Sequence, residues 1–129
     1  MTLYPEHYKG AESEYIAASY YLSKARQVYW PAVQQGCIDF IVEDQSQFRR
    51  VQVKTATWMK SGTGMYLQCR TRLTNKYQAF TPSDLYDILF VVGPDGELWE
   101  IPAEKIQSSN LSLKRSSGKS CEWADYRVN

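Results

Sequence analysis

The chain of 129 residues contains one histidine and three cysteines, and these low numbers argue against several kinds of chemistry. The single histidine, His7, lies near the N-terminus, which disfavours a histidine-based nucleophilic triad or a multi-histidine metal site. Cys37, Cys69 and Cys121 are odd in number and widely spaced, with no CxxC pair, so neither a disulfide framework nor a cysteine zinc site is supported. Any hydrolytic chemistry must therefore depend on carboxylates and lysine.

The sequence also lacks a run near the roughly 18 apolar residues that span a bilayer. Its N-terminus lacks the basic-then-apolar order of a signal peptide. We therefore expect a cytoplasmic protein with no membrane partner. Hydrophobic residues make up 43% of the chain, which is enough for one core at this length. We predict a single domain over residues 1–129, with its core at about 9–107 and a basic C-terminal extension at 108–129.

The net charge is only +1, but the charges segregate along the chain. Residues 45–83 hold seven basic residues and no acidic one, whereas residues 84–104 hold six acidic residues and no basic one. A folded chain with this pattern should have a basic face and an acidic face. We expect the basic face to bind nucleic-acid phosphates. The acidic region contains the apolar segments 88–92 and 98–101, and we expect a subunit interface there.

Hydrophobic spacing predicts the element order α-β-β-β-α-β. The first helix is predicted from Gly10 to about Gln27, with Pro31 limiting its extent. Its core-facing stripe is expected to contain small and apolar residues at steps of four and three, namely Ala11, Tyr15, Ala18, Leu22 and Ala25. Strands are predicted at 37–42, 48–57, 65–72, 88–92 and 98–102, a hairpin loop at 43–47, helical turns at 81–85 and 103–107, and a poorly ordered tail at 108–119.

Four polar residues come together on this predicted skeleton. Gln52 and Lys54 lie on one face of their strand, because they are two residues apart. A short hairpin can bring Asp39 beside them, and Glu14 borders the packing stripe of the first helix. Two carboxylates, an amide oxygen and a lysine form a hard, oxygen-rich site that suits Mg²⁺ or Mn²⁺. The implied reaction is phosphodiester hydrolysis, with Lys54 orienting the attacking water.

These residues resemble the PD-(D/E)xK nuclease superfamily. The resemblance rests on Gly10-x-x-x-Glu14, Pro31, Cys37-Ile38-Asp39-Phe40 and Val51-Gln52-Val53-Lys54-Thr55, and covers roughly residues 9–102. The likeness is greatest to small group I intron-encoded homing endonucleases, with archaeal Holliday junction resolvases as relatives. It implies a restriction-endonuclease-like α/β (α+β) core, in which a mixed central sheet is flanked by helices.

The resemblance also implies roles for the candidate residues. Glu14, Asp39, Gln52 and Lys54 would be catalytic, and the metal would bind Asp39, Glu14, Gln52 and the carbonyl of Val53. The chain departs from the family pattern at Gln52, where a carboxylate is usual, so metal affinity would depend more on Asp39 and Glu14. The implied assembly is a homodimer or homotetramer on double-stranded DNA.

The acid-free region supplies the candidate DNA-binding residues, of which six are basic and one is aromatic. They are Arg49, Arg50, Trp58, Lys60, Arg70, Arg72 and Lys76. The resulting hypothesis is a magnesium-dependent, site-specific homing endonuclease. Two alternatives stay open: a resolvase or repair nuclease that selects DNA structure, and a DNA-binding protein that keeps the fold but has lost cleavage.

Overall fold

A computed structural model describes six stretches of the chain, namely residues 5–33, 36–58, 66–70, 81–107, 110–114 and 123–129. Within them, a mixed sheet of five strands carries one long helix on one face and a smaller three-stranded sheet on the other. No helix in these stretches combines the length and the apolar character needed to cross a membrane.

The first helix, α1, runs from Pro5 to Ser23, so it begins and ends earlier than predicted. It ends because Ala25 adopts a left-handed conformation (φ 59°), with the Ala25 and Arg26 N–H groups donating to the carbonyls of Leu22 and Tyr21. This pattern is a Schellman cap, which satisfies the last helical carbonyls. Proline at position 31 is therefore not what stops the helix, and a short strand, β1 (Gln27–Tyr29), follows that the sequence did not predict.

The buried face of α1 also differs from the prediction. Its core residues are Ser13, Ala17, Ala18 and Tyr21, which lie against the central sheet. Of the five predicted core positions only Ala18 is buried, whereas Tyr15 and Leu22 are largely exposed. The Tyr21 hydroxyl explains part of the shift, because it donates to the Glu100 carboxylate at 2.6 Å and so satisfies its polar group inside the protein.

The central sheet has the order β1, β2 (Phe40–Asp44), β3 (Gln47–Thr55), β6 (Ile88–Val92) and β7 (Leu98–Pro102). Strands β2 (Phe40–Asp44) and β3 (Gln47–Thr55) form an antiparallel hairpin, and Gln45 and Ser46 both have positive φ in its turn, as a two-residue hairpin requires. Strand β3 then pairs in parallel with β6 (Ile88–Val92), after the one-turn helix α2 (Pro82–Leu85). All five residues of β6 are buried, as expected for a strand covered on both faces.

Strand β7 (Leu98–Pro102) completes the central sheet, and the second sheet contains β4 (Thr57–Trp58), β5 (Tyr66–Arg70) and β8 (Asn110–Lys114). The predicted third strand of the core therefore belongs to a separate sheet. Strand β8 falls in the predicted poorly ordered tail, yet Leu111 and Leu113 are buried against β6 and β7.

The C-terminal residues also contribute to the fold. Trp123 is buried in the same cluster as β8, and Val128 donates its N–H to the Leu98 carbonyl. The core therefore extends well past residue 107. The side chains of residues 88–92, Trp99 and Ile101 form its centre and are covered within one chain, so they do not supply the subunit interface predicted there.

Candidate active site

The candidate site lies where strand β3 changes partners. Strand β2 pairs with β3 as far as Val51, and β6 pairs with β3 from Val51 to Thr55. The last four residues of β3 thus extend beyond the β2 ladder. Asp39 immediately precedes β2 and therefore lies at this end of the sheet, as the hairpin geometry predicted.

Backbone hydrogen bonds hold Asp39 in place there. Its own N–H donates to the Val51 carbonyl at 2.8 Å. Its carboxylate oxygen Oδ2 accepts the Val53 N–H at 2.6 Å, in the position where a further β2 residue would otherwise continue the ladder. A charge-assisted bond to a backbone amide restricts the carboxylate to one orientation.

Glu14 reaches Asp39 from the helix side. It is half-buried on α1, and its carboxyl group lies close enough to that of Asp39 to share a hydrogen bond when Glu14 is protonated. Burial raises the pKa of Glu14 to about 7, and the hydrogen bond and the negative charge of Asp39 act in the same direction. Near neutral pH the two carboxyl groups can therefore lie side by side only if Glu14 keeps its proton or if a cation binds between them.

A hydrogen bond that the sequence did not predict ties the two elements of the site together. The hydroxyl groups of Ser13 and Thr55 lie 2.7 Å apart, and Ser13 is buried. These residues are the chain neighbours of Glu14 and Lys54. The bond therefore sets the position of α1 along β3 at the site. It joins residues 42 positions apart, so no local pattern could have indicated it.

Gln52 and Lys54 lie on either side of Val53 in β3, and both are half-buried. Val53 packs toward α1, so alternation directs Gln52 and Lys54 to the other face of the strand. The structure thus brings Glu14, Asp39 and the Val53 peptide into direct contact. It places Gln52 and Lys54 one residue from that peptide, with side chains that leave the strand on the opposite face.

The donor set suits a divalent cation on chemical grounds. Among the described residues no group of three or more His, Cys, Asp or Glu side chains comes together, so the anionic part of the site is the Glu14–Asp39 pair. Two adjacent carboxylates attract a hard cation that replaces the shared proton. The N–H and C=O of an extended residue point to the same side of its strand, so the Val53 carbonyl is directed toward Asp39.

Arg50, a predicted DNA-binding residue, is engaged within the protein. Its guanidinium donates to both carboxylate oxygens of Asp87 and to the backbone carbonyls of Ser83 and Asp84, at 2.9–3.2 Å. The Arg50 N–H also donates to Asp87, and the Asp87 N–H donates to the Arg50 carbonyl. This network links the start of β3 to α2 and β6, and it neutralises the Arg50 guanidinium with Asp87; a DNA contact by Arg50 stays a prediction.

The other predicted DNA-binding residues are described to different extents. Arg49 is exposed on β3, with its guanidinium donating to Gln47 at 3.0 Å. It is four residues from Val53, about 13 Å along an extended strand. Trp58 and Arg70 are placed by their backbones in β4 and β5. The remaining three, Lys60, Arg72 and Lys76, lie outside the described residues.

Comparisons with known proteins agree with this architecture. A family described as PD-(D/E)XK endonuclease matches residues 4–124. The chain is 38% identical over 112 residues to Protein 5.3 of Escherichia phage T7, covering 87% of this chain and 94% of that protein. Its fold is similar to a solved bacterial homing endonuclease, I-Ssp6803I, with a TM-score of 0.74, 18% identity, and coverage of 92% of this chain and 83% of the other. The restriction-endonuclease-like α+β fold is confirmed.

Proposed function

Because the chain belongs to the PD-(D/E)XK endonuclease family, we propose that it is a metal-dependent, site-specific endonuclease of the homing type that hydrolyses phosphodiester bonds in double-stranded DNA. The observation that carries the proposal is the contact between Glu14 and Asp39 at the end of β3. Two carboxyl groups held so close that the pKa of one is raised are typical of functional sites.

Glu14 and Asp39 would hold Mg²⁺, or Mn²⁺, with the Val53 carbonyl as a neutral ligand. Gln52 stands where the family usually has a carboxylate, but its side chain leaves β3 on the face away from Glu14, so the charged ligands are the two carboxylates alone. The chemistry that such an ion supplies is polarisation of a phosphate oxygen and stabilisation of charge on the leaving oxygen. The Val53 N–H keeps Asp39 oriented, so the ligand geometry is prepared before DNA binds.

Lys54 is the cation of the proposed site. It follows Val53 directly, so it is anchored to the same segment of backbone that holds Asp39. Its ammonium group would orient the attacking water and balance the negative charge that develops on the phosphate. The Ser13–Thr55 hydrogen bond would hold Lys54 in register with Glu14 on the facing helix.

One candidate site per chain hydrolyses one strand, so cleavage of both strands implies more than one copy. We propose a homodimer or homotetramer, since identical subunits assemble most readily with closed symmetry. Arg49 and the basic residues at positions 58–76 are the proposed contacts to DNA phosphates.

The proposal is tested by incubating the purified protein with a randomised duplex library and with a four-way junction, in Mg²⁺ or in EDTA. We expect Mg²⁺-dependent cleavage of a narrow set of duplexes. Preferential cleavage of the junction would instead identify a structure-selective resolvase. Binding without cleavage in Mg²⁺ or Mn²⁺ would identify a DNA-binding protein that has lost catalysis, an alternative that Gln52 keeps open.

Lys54→Ala provides the matched test of the site. We expect this substitution to reduce cleavage by about 10²- to 10³-fold while DNA binding changes little, because the lysine acts on the reacting phosphate. Lys105→Ala removes an exposed lysine from the turn after β7 and serves as the charge-matched control. Equal effects of the two substitutions would show that the site is misassigned.

A further inference from the structure

Three of the four glycines that the structure describes have a reason within the protein. Gly36 and Gly96 have positive φ (87° and 90°), a conformation that other residues rarely adopt. A Cβ atom on Gly93 would lie 2.7 Å from the Glu97 carboxylate, which leaves little room for a larger residue. Gly10 differs, because it has ordinary helical geometry and, outside its own turns of helix, no atom of the described residues lies within 4 Å of the position that a Cβ would take.

A glycine at this position makes the helix less stable. Gly10 lies in the second turn of α1, and a glycine inside a helix lowers stability relative to alanine because it loses more backbone freedom on folding. Neither backbone geometry nor packing within the described part of the chain compensates for this loss. The remaining use of a glycine is to let a ligand come close to the backbone.

Gly10 lies on the face of α1 that is directed at the central sheet. It is followed at steps of four, three and four residues by Glu14, Ala17 and Tyr21, which is the spacing of one helix face. Ala17 and Tyr21 are buried against the sheet, and Glu14 is half-buried. Gly10 is half-buried as well, whereas its neighbour Ala11 is exposed. The space beside Gly10 therefore lies on the inner side of α1.

Strand β3 ends before it reaches Gly10. Ser13 is hydrogen-bonded to Thr55, the last residue of β3. The helix runs antiparallel to the strand, since Tyr21, farther along α1, packs in one cluster with Val51, farther back along β3. Gly10 lies about 4.5 Å beyond Ser13 along the helix axis. The helix at Gly10 thus overhangs the end of the strand, which leaves an opening between the two.

This opening adjoins the contact between Glu14 and Asp39. Gly10 and Glu14 are four residues apart, so they lie on one face with a separation of about 6 Å along the axis. Side chains on a helix lean toward its N-terminus, so the Glu14 side chain leans toward Gly10. A phosphate bound at the two carboxyl groups would therefore bring the sugar–phosphate backbone beside it into the opening.

We propose that the sugar–phosphate backbone of the cleaved DNA strand passes against α1 at Gly10. The missing side chain lets the strand come close enough for its phosphate to reach Glu14 and Asp39. The inference rests on the proposed function, because it names the part of the substrate that lies beside the proposed site. Gly10 supplies no metal ligand, and its contribution is access.

Substitution of Gly10 tests the proposal, because the expected effects on stability and on cleavage have opposite signs. In urea unfolding, Gly10→Ala should raise the equilibrium constant for folding by roughly two- to fivefold, since alanine is the better helix former. Cleavage of duplex DNA in Mg²⁺ by this variant should fall severalfold. Lower stability of Gly10→Ala would show that a part of the protein itself occupies the space, and would overturn the proposal.

A larger side chain should have a larger effect. Gly10→Leu should reduce cleavage by about 10- to 100-fold, because a displacement of the phosphate by about 1 Å can have that effect. Ala11→Leu is the matched control, since Ala11 is exposed and lies about 100° around the helix from Gly10. Circular dichroism establishes that each variant is folded. Equal cleavage by the two leucine variants would overturn the proposal.

Metal binding separates an effect on DNA from an effect on the carboxyl groups. We expect Gly10→Leu to bind Mn²⁺ as the wild type does in a titration without DNA, because a side chain at this position leaves Glu14 and Asp39 in place. Asp39→Asn should bind Mn²⁺ much more weakly. A loss of Mn²⁺ affinity in Gly10→Leu as large as its loss of cleavage would show that the leucine disturbs the carboxyl groups, and would overturn the proposal.

DNA binding separates this inference from the proposed function. In EDTA, Gly10→Leu should bind duplex DNA several-fold more weakly than Ala11→Leu. If the wild type binds DNA without cleaving it, that difference supports the contact at Gly10 while the nuclease assignment fails. Equal affinities of the two variants would overturn the contact and leave the nuclease assignment to the cleavage assay. A wild type that neither binds nor cleaves duplex DNA would overturn both proposals.

Discussion

The two halves of β3 lie in opposite electrostatic environments. In the first half, Arg50 and Asp87 form an ion pair at 3.1 Å, and the hydrogen bonds from Arg50 lower the pKa of Asp87. Beside the second half, two carboxyl groups meet, and the pKa of Glu14 rises to about 7. The strand thus carries a contact that neutralises charge in its first half and lies beside an electrostatically unfavourable contact in its second half.

The difference indicates what each half is for. Opposite charges joined by several hydrogen bonds stabilise the start of β3 against α2 and β6. Like charges brought together lower stability unless a ligand neutralises them, and a protein retains such a contact where a ligand binds. A substitution in the first half should therefore lower stability more than activity, and a substitution beside the second half should lower activity more than stability.

The largest expected effect is that of Asp39→Asn on activity. We expect cleavage in Mg²⁺ to fall by about 10³-fold, equivalent to about 4 kcal/mol, because a charged metal ligand is lost. The free energy of unfolding in EDTA at pH 8 should be unchanged or higher, since the amide oxygen can still accept the Val53 N–H. Single-turnover cleavage and urea unfolding measure the two quantities. Asp125→Asn, in an exposed turn, is the control, and retained cleavage in Asp39→Asn would contradict the assignment.

The converse substitution is Asp87→Asn. It removes the ion pair and weakens the hydrogen bonds to Arg50, so we expect unfolding to become easier by about 1–2 kcal/mol. The pKa of Asp87 is lowered by folding, so its contribution is present above pH 4 and is lost as the pH falls through the folded-state pKa. Cleavage per folded molecule should be unchanged.

Asp84→Asn is the matched control for Asp87→Asn, because Arg50 donates a hydrogen bond to the Asp84 backbone carbonyl and none to its carboxylate, which acts on Arg50 only through its charge. Urea unfolding at pH 7 and pH 3.5 compares the two variants with the wild type. A loss of cleavage at full folding in Asp87→Asn would show that the first half of β3 also serves the reaction.

A smaller effect is expected on stability, which should depend on pH through the ionisation of Glu14. Its pKa is raised on folding from about 4.5 to about 7, so the folded state binds more protons across that range and stability falls as the pH rises through it. We expect a loss of about 1–2 kcal/mol between pH 4.5 and pH 7.5 in EDTA, after allowing for partial solvent exposure. Glu14→Gln should remove this loss, and Glu104→Gln, which is exposed, should not. Identical pH profiles for Glu14→Gln and the wild type would contradict the carboxyl contact.

The smallest effect should come from the hydroxyl pair that joins the two sides of the site. Ser13→Ala and Thr55→Val each remove one partner of the 2.7 Å hydrogen bond, and we expect a coupling energy of about 1 kcal/mol in a double-mutant cycle. Cleavage should fall several-fold through kcat with little change in KM, because the pair positions Glu14 and Lys54 without contacting DNA. A coupling energy near zero would show that the pair does not set the helix position.

Local sequence patterns predicted much of this fold. The apolar run at 88–92 is a fully buried strand, the polar residues at 43–47 contain the hairpin turn, and residues 82–85 form the short helix after Thr81. In each case the relevant signal lies within a few residues, so the tertiary structure had little opportunity to override it.

The wrong predictions share one cause: the spacing of apolar residues does not show which part of the chain will cover a given face of a helix or strand. The stripe through Tyr15 and Leu22 has helical periodicity, but the helix buries the adjacent face that carries Ala17 and Tyr21. Likewise the polar tail contains β8, because Leu111 and Leu113 find apolar neighbours on β6 and β7 that are distant in sequence.

The sequence by itself determined the chemical character of this protein: it has few histidines and cysteines, carboxylates at positions 14 and 39, and a strand that places Gln52 and Lys54 on one face. The sequence also predicted that Glu14 and Asp39 come together. Only the tertiary structure decided that this contact raises the pKa of Glu14, that Val53 orients Asp39, and that Arg50 is bound to Asp87. The physical reason is that these contacts join residues 14 to 37 positions apart. Their energies depend on burial and on neighbouring charges, which exist only once the chain has folded.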